Sequence, residues 1–138
     1  MGTRYIKTSY WTDLSIVGLS KDSKYLYLYL ITSPHSNIAG CYALPDAIVM
    51  AETGLDRDTI IESLKELIDK KLVCYDERTG EVLLLNFPKH NWGNSPKIKA
   101  AVRERCEYIR SEKFKNYLLS ILTAVSTYTD KLKEEVSQ

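Results

Sequence analysis

The chain has 138 residues, 44% apolar and 27% charged, with a net charge of +1. That mix fits one ordinary globular domain and excludes disorder along the whole length. No run approaches the ~18 apolar residues that cross a membrane, and the first residues lack the apolar stretch of a signal peptide.

Two further features of composition bear on function. Three cysteines, Cys41, Cys74 and Cys106, are odd in number and widely spaced, which predicts reduced thiols in a cytoplasmic protein rather than a disulfide framework. Charge is uneven: residues 1–88 carry 9 Lys/Arg against 12 Asp/Glu, and residues 89–138 carry 10 against 6. The expected division is therefore a neutral-to-acidic body over residues 1–92, with an N-terminal arm, and a basic, amphipathic helical extension over residues 93–138. There are ten tyrosines and two phenylalanines, and phenols suit half-buried positions and interfaces.

In chain order, residues 1–12 read as a short extended arm. Asp13 caps a helical turn over residues 14–19, and Ser20 caps a helix beginning at Lys21. Residues 25–31, Tyr-Leu-Tyr-Leu-Tyr-Leu-Ile, alternate like a strand, yet the cap and the length favour a buried helix. Residues 34–40 read as a loop and Cys41-Tyr42-Ala43 as a short extended piece. Pro45 suits a first helical position, and that helix stops at Gly54. Asp56 caps the next helix, whose apolar stripe is Ile60, Ile61, Leu64, Leu67 and Ile68. Residues 72–75 and 82–85 predict a hairpin with Gly80 in its loop. Residues 86–95 read as a loop. Ser95-Pro96 opens a helix expected to reach about Ser111. A last apolar face carries Phe114, Tyr117, Leu118, Ile121, Leu122, Val125 and Tyr128.

Two helices joined by a tight Gly54 turn and followed by a hairpin predict a winged helix-turn-helix. The expected class is mainly α with a small β-hairpin: a winged helix plus a C-terminal helical extension.

Several segments resemble the N-terminal domain of phage and prophage replisome organisers, related to the DnaD-type primosome proteins of low-GC Gram-positive bacteria. They are Tyr10-Trp11-Thr12-Asp13; Lys24-Tyr25-Leu26-Tyr27-Leu28-Tyr29-Leu30 with Thr32-Ser33-Pro34-His35-Ser36-Asn37; Gly40-Cys41-Tyr42-Ala43-Leu44-Pro45; Glu52-Thr53-Gly54; and, most distinctive, Lys89-His90-Asn91-Trp92-Gly93-Asn94-Ser95-Pro96-Lys97. The resemblance spans about residues 4–105. It implies a helix over residues 25–31, a role in DNA-replication initiation or helicase recruitment, self-association, and a bacterial cytoplasm with the gene on a phage or prophage. Larger members carry a second helical domain that binds DNA and partners. These 138 residues hold no room for it, so a short paralogue or a fragment is expected.

Conventional groove reading would use the helix after Asp56. Its outward residues are Arg57, Asp58, Glu62, Lys65, Glu66, Asp69 and Lys70; four of the seven are acidic and repel phosphate. The helix after Pro96 is better suited. At 100° per residue, Lys99, Arg103 and Arg110 fall within about 40° of one another, beside the apolar Ile98, Val102 and Ile109. Lys97, Lys113 and the hairpin's Arg78 complete the candidate DNA contacts. The same helix face also suits simple solvation with pairs such as Arg103–Glu107. Trp92 and the tyrosines either stack on unpaired bases or sit in the core. The face of Phe114, Leu118, Ile121, Leu122 and Val125 either folds back or pairs with a second copy, giving a homodimer or higher.

No GxxxxGK[ST] loop is present. His35 and His90 lack neighbours at metal-ligand spacing. No catalytic residues, metal or cofactor are expected. The leading expectation is a scaffold for replication initiation, binding single- or double-stranded DNA with weak sequence preference, and a helicase or its loader. The alternatives are a winged-helix transcriptional regulator and a protein-interaction module without DNA binding.

Overall fold

A computed structural model describes residues 2–123 and 133–137. The chain is mainly helical, with one small antiparallel sheet. A 3-10 turn at Thr8–Trp11, where an extended arm was expected, leads into α1 (Leu14–Val17). Asp13 starts α1 by accepting from the Ser15 N–H at 2.9 Å. Ser20 caps α2 (Lys21–Thr32), accepting from the Ser23 N–H. Residues 25–31 are therefore helix. α2 ends at Ser33, before Pro34, whose ring disfavours helix in the residue preceding it.

β1 (Cys41–Ala43) precedes α3 (Asp46–Thr53). Gly54 holds φ +77°, a left-handed turn that glycine adopts without steric cost. Asp56 then accepts from the Thr59 N–H at 2.8 Å and opens α4 (Arg57–Asp69). Lys71, at φ 61°, closes α4. The Leu72 N–H reaches the Leu67 carbonyl, and the Lys71 N–H the Ile68 carbonyl, each at 3.0 Å. This pair of bonds satisfies the last free carbonyls of the helix.

β2 (Val73–Asp76) and β3 (Glu81–Leu84) form the hairpin, each one residue away from its expected bounds. β1 joins them, giving the order β1-β3-β2, all antiparallel. In this register Tyr42, Val82 and Tyr75 share one face of the sheet. Cys41, Leu83 and Cys74 share the other. Tyr75 and Val82 meet Leu26, Leu30, Val49 and Ile60 of α2, α3 and α4 around a small cavity. The opposite face meets the C-terminal helices. Every residue of β3 is buried.

Residues 86–95 contain a short helix, α5 (Phe87–Asn91), where a loop was expected. Burial of Phe87 and Pro88 pulls this turn into the core. Gly40, at φ +71°, lies so close that a Cβ there would sit 2.6 Å from Phe87 Cγ.

α6 (Pro96–Cys106) stops five residues short of the expected end. The Arg110 and Ser111 N–H groups donate to Glu81 at 3.1 and 2.8 Å, so a buried strand carboxylate draws the chain out of the helix. α7 (Glu112–Leu122) follows, capped by Ser111.

The tyrosines explain much of the packing. Tyr10, Tyr25 and Tyr42 donate to the carbonyls of Lys24, Thr53 and Leu30 at 2.7, 2.9 and 2.6 Å. Each spends its hydroxyl on backbone, and Tyr10 and Tyr42 also bury their rings in the core. One hydrophobic cluster runs from Tyr10 through the sheet to Val102, Phe114 and Val136. Ile61, expected in the stripe of α4, is instead 52% exposed.

Candidate nucleic-acid interface

α6 begins with Pro96 in its first turn. Val102 and Cys106 are buried and Ile98 half-buried, which fixes the inward face. Lys99 and Arg103 lie about 40° apart on one shoulder of that face. Lys97 lies about 160° around the helix from Lys99, so it faces away from that pair. Arg110 is not on the helix. It follows the last turn, and its guanidinium donates to the Thr79 carbonyl in the hairpin loop at 2.5 Å.

The structure therefore divides the six expected cations. Arg78 from the hairpin loop, Arg110 from the α6–α7 connection and Lys113 from the first turn of α7 line one open cleft, with Tyr75, Thr79 and Phe114. Lys99 and Arg103 form a second pair, and Lys97 stands apart. Asp76, Glu77 and Glu112 also line the cleft. The hydroxyl of Ser111 and the N–H of Arg78 hold the Asp76 carboxyl below its ordinary range, so it is ionised at neutral pH.

α4 carries a different surface. Arg57, Asp58, Ile61, Glu62, Lys65 and Asp69 are exposed. Glu66, expected among them, turns inward: it accepts from the Ser20 N–H and hydroxyl at 3.2 and 2.8 Å and from the Ser23 hydroxyl. Those bonds lower its pKa. Arg57 sits 3.7 Å from Asp46. With Lys70 also exposed, the remaining face carries three bases and three acids.

Trp92 is buried, and its indole N–H donates to the Ile38 carbonyl at 2.6 Å. It is a packing residue, so the stacking alternative is corrected there, as it is for the buried Tyr10, Tyr27 and Tyr42. Burial pushes the Tyr10 and Tyr27 phenols up to about 12. Among the tyrosines expected either to stack or to pack, Tyr108 stays outside the core: it is 71% exposed, with the Arg105 guanidinium 6.0 Å from its ring centroid. Its i,i+3 spacing from Arg105 was the available signal.

Phe114, Leu118 and Leu122 are buried within the chain and Ile121 half-buried. Their face is spent folding back, which corrects their assignment to self-association; Val125 and Tyr128 lie outside the described residues.

Burial raises the pKa of all three thiols, that of Cys106 to about 11, so none is an exposed thiolate at neutral pH. Among the described residues, no group of three or more His, Cys, Asp or Glu has a metal-binding arrangement, and no helix is long and apolar enough to cross a membrane. No protein-family model, curated protein or solved structure matches the chain.

Proposed function

We propose that this chain is a winged-helix, nucleic-acid-binding scaffold of the replisome-organiser kind, acting in replication initiation through DNA and a helicase or its loader. The succession α2-β1-α3-α4-β2-β3 with sheet order β1-β3-β2 supports the winged-helix part. The observation that carries the DNA reading is the Lys99–Arg103 pair on one shoulder of α6. In the cleft Arg78, Arg110 and Lys113 stand beside Asp76, Glu77 and Glu112, and the exposed face of α4 is mixed. Such a protein contacts phosphates from its C-terminal side, with little base readout.

Fluorescence anisotropy with single- and double-stranded oligonucleotides at several salt concentrations tests this. Wild type should bind with a steep salt slope. Lys99→Glu/Arg103→Glu should weaken binding to all sequences alike and reduce the slope by roughly 2, about one unit per lost phosphate contact. Sequence-selective duplex binding lost on Arg57→Ala and Lys65→Ala would support a transcriptional regulator instead. A protein-interaction module is favoured by one observation: Ile61 is exposed on the outer face of α4, with Arg57, Asp58 and Lys65 as its helical neighbours. It predicts no DNA binding even at low salt.

A further inference from the structure

A cavity of about 70 Å³ lies between the N-terminal arm and the core. Tyr10, Ile16, Tyr27, Leu84 and Phe87, all buried, line its inner side. Tyr5, Ile6 and Lys7, all exposed, line its outer side. The volume is roughly half the ~150 Å³ of an apolar cavity that admits benzene, so with the arm in place only a smaller group fits.

Residues 2–7 have neither helix nor strand, and Arg4 alone among them is half-buried. Two hydrogen bonds to side chains fasten them to the body, each 3.2 Å long. The Arg4 Nε donates to the Ser36 hydroxyl, and the Tyr5 N–H donates to the side-chain oxygen of Asn91. The Arg4 guanidinium also lies 5.9 Å from the Phe87 ring centroid. Among the described residues, the arm's one backbone–backbone bond is at its base, where the Tyr10 N–H reaches the Lys7 carbonyl. Tyr10 is fixed by contrast: it is 8% exposed, and its hydroxyl donates to the Lys24 carbonyl at 2.7 Å.

Two properties meet in this segment. Its fastenings are few and open to water, which puts it at the low end of local stability. It also walls an apolar surface that its departure would bare.

We propose that residues 2–7 are a detachable strap: they lift off Ser36 and Asn91 as a unit, pivoting ahead of Tyr10, and open the cavity while the domain stays folded. Any group that engages Tyr10, Tyr27 and Phe87 from outside must first displace the strap. The inference stands apart from the DNA reading, because none of these residues belongs to the cationic set on α6 or in the cleft.

The experiment is hydrogen exchange of the full chain, labelled with ¹⁵N, at the amides of Tyr5 in the arm and Leu26 in α2, in water and in sub-denaturing urea. Tyr5 should be protected by its bond to Asn91, yet exchange at least roughly a hundredfold faster than Leu26. Urea should leave the Tyr5 rate unchanged, because lifting the arm exposes little surface, and should raise that of Leu26, which waits for global unfolding. Arg4→Ala should speed exchange at Tyr5 about tenfold with Leu26 unchanged, because the two fastenings release together. Ile6→Asp should bring Tyr5 to its unprotected rate and let the bared wall bind the dye anilinonaphthalene sulfonate. A Tyr5 amide with no protection in the wild type, one that shares the rate and urea dependence of Leu26, or one indifferent to Arg4→Ala would each overturn the proposal. So would a released arm with no dye bound.

Discussion

The two faces of the three-stranded sheet are held by different physics. The face carrying Tyr42, Tyr75 and Val82 meets α2, α3 and α4 through apolar packing, and the helices behind it are started by local caps at Ser20 and Asp56. The face carrying Cys41, Cys74 and Leu83 meets the C-terminal helices, and there a buried carboxylate, Glu81, grips two backbone N–H groups some thirty residues away. At the start of α2 water can replace a polar group lost beside exposed Ser20, though not beside buried Ser23. On the second face the Ser111 N–H is buried and has no such replacement.

The largest expected effect follows from that difference. Glu81→Ala leaves the Ser111 N–H buried without its acceptor and costs the Arg110 N–H its own; a stability loss of about 3 kcal/mol is expected in urea unfolding. Faster labelling of Cys74 and Cys106 would show that the C-terminal layer has lifted. Glu66→Ala, on the other side of the sheet, removes acceptors from Ser20, which is exposed and rehydrates, and from Ser23, which is buried. It should cost about 1 kcal/mol, and a loss equal to that of Glu81→Ala would erase the contrast.

Acid should act on both faces. Asp76 and Glu66 have folded-state pKa values below their ordinary ones. The stability they contribute is therefore fully present above the unfolded-state values and is lost as pH falls through the folded-state ones. For Asp76 the loss begins near its ordinary value of 3.8 and continues below it. Asp76→Asn should flatten the fall in urea midpoint over that range while leaving the neutral-pH profile unchanged. The smallest effect concerns the end of α4. Lys71 holds a left-handed conformation that costs a non-glycine residue ~1 kcal/mol. Lys71→Gly should raise stability by about 0.5 kcal/mol, part of the gain being lost to glycine's greater chain entropy.

What was legible in the sequence is what is local. Ser20, Asp56, Gly54 and Pro96 mark helix ends within a few residues of the bonds they make, and the helix-helix-hairpin succession follows from them. The rest depended on distant partners. Arg110 continues the helical spacing of Lys99 and Arg103, yet Glu81 removes it from the helix, and Glu81 itself reads as a turn residue. Pro88 reads as loop, but the apolar weight of Phe87 folds a short helix around it. The candidate DNA residues were nameable as basic side chains; their division into a pair, a cleft and an outlier was not. The apolar run Val82-Leu83-Leu84-Leu85 did carry a signal for a strand buried on both faces.

The central place of β3 also fixes an order of events. Its pairing with β2 closes a four-residue loop, whereas its pairing with β1 brings together Cys41 and Leu83, roughly forty residues apart, with α3 and α4 between. Closing the longer loop costs more chain entropy, and hairpins form in about 1–10 μs. During refolding, the amides of the β2–β3 hairpin should therefore gain protection from exchange before β1 docks against it.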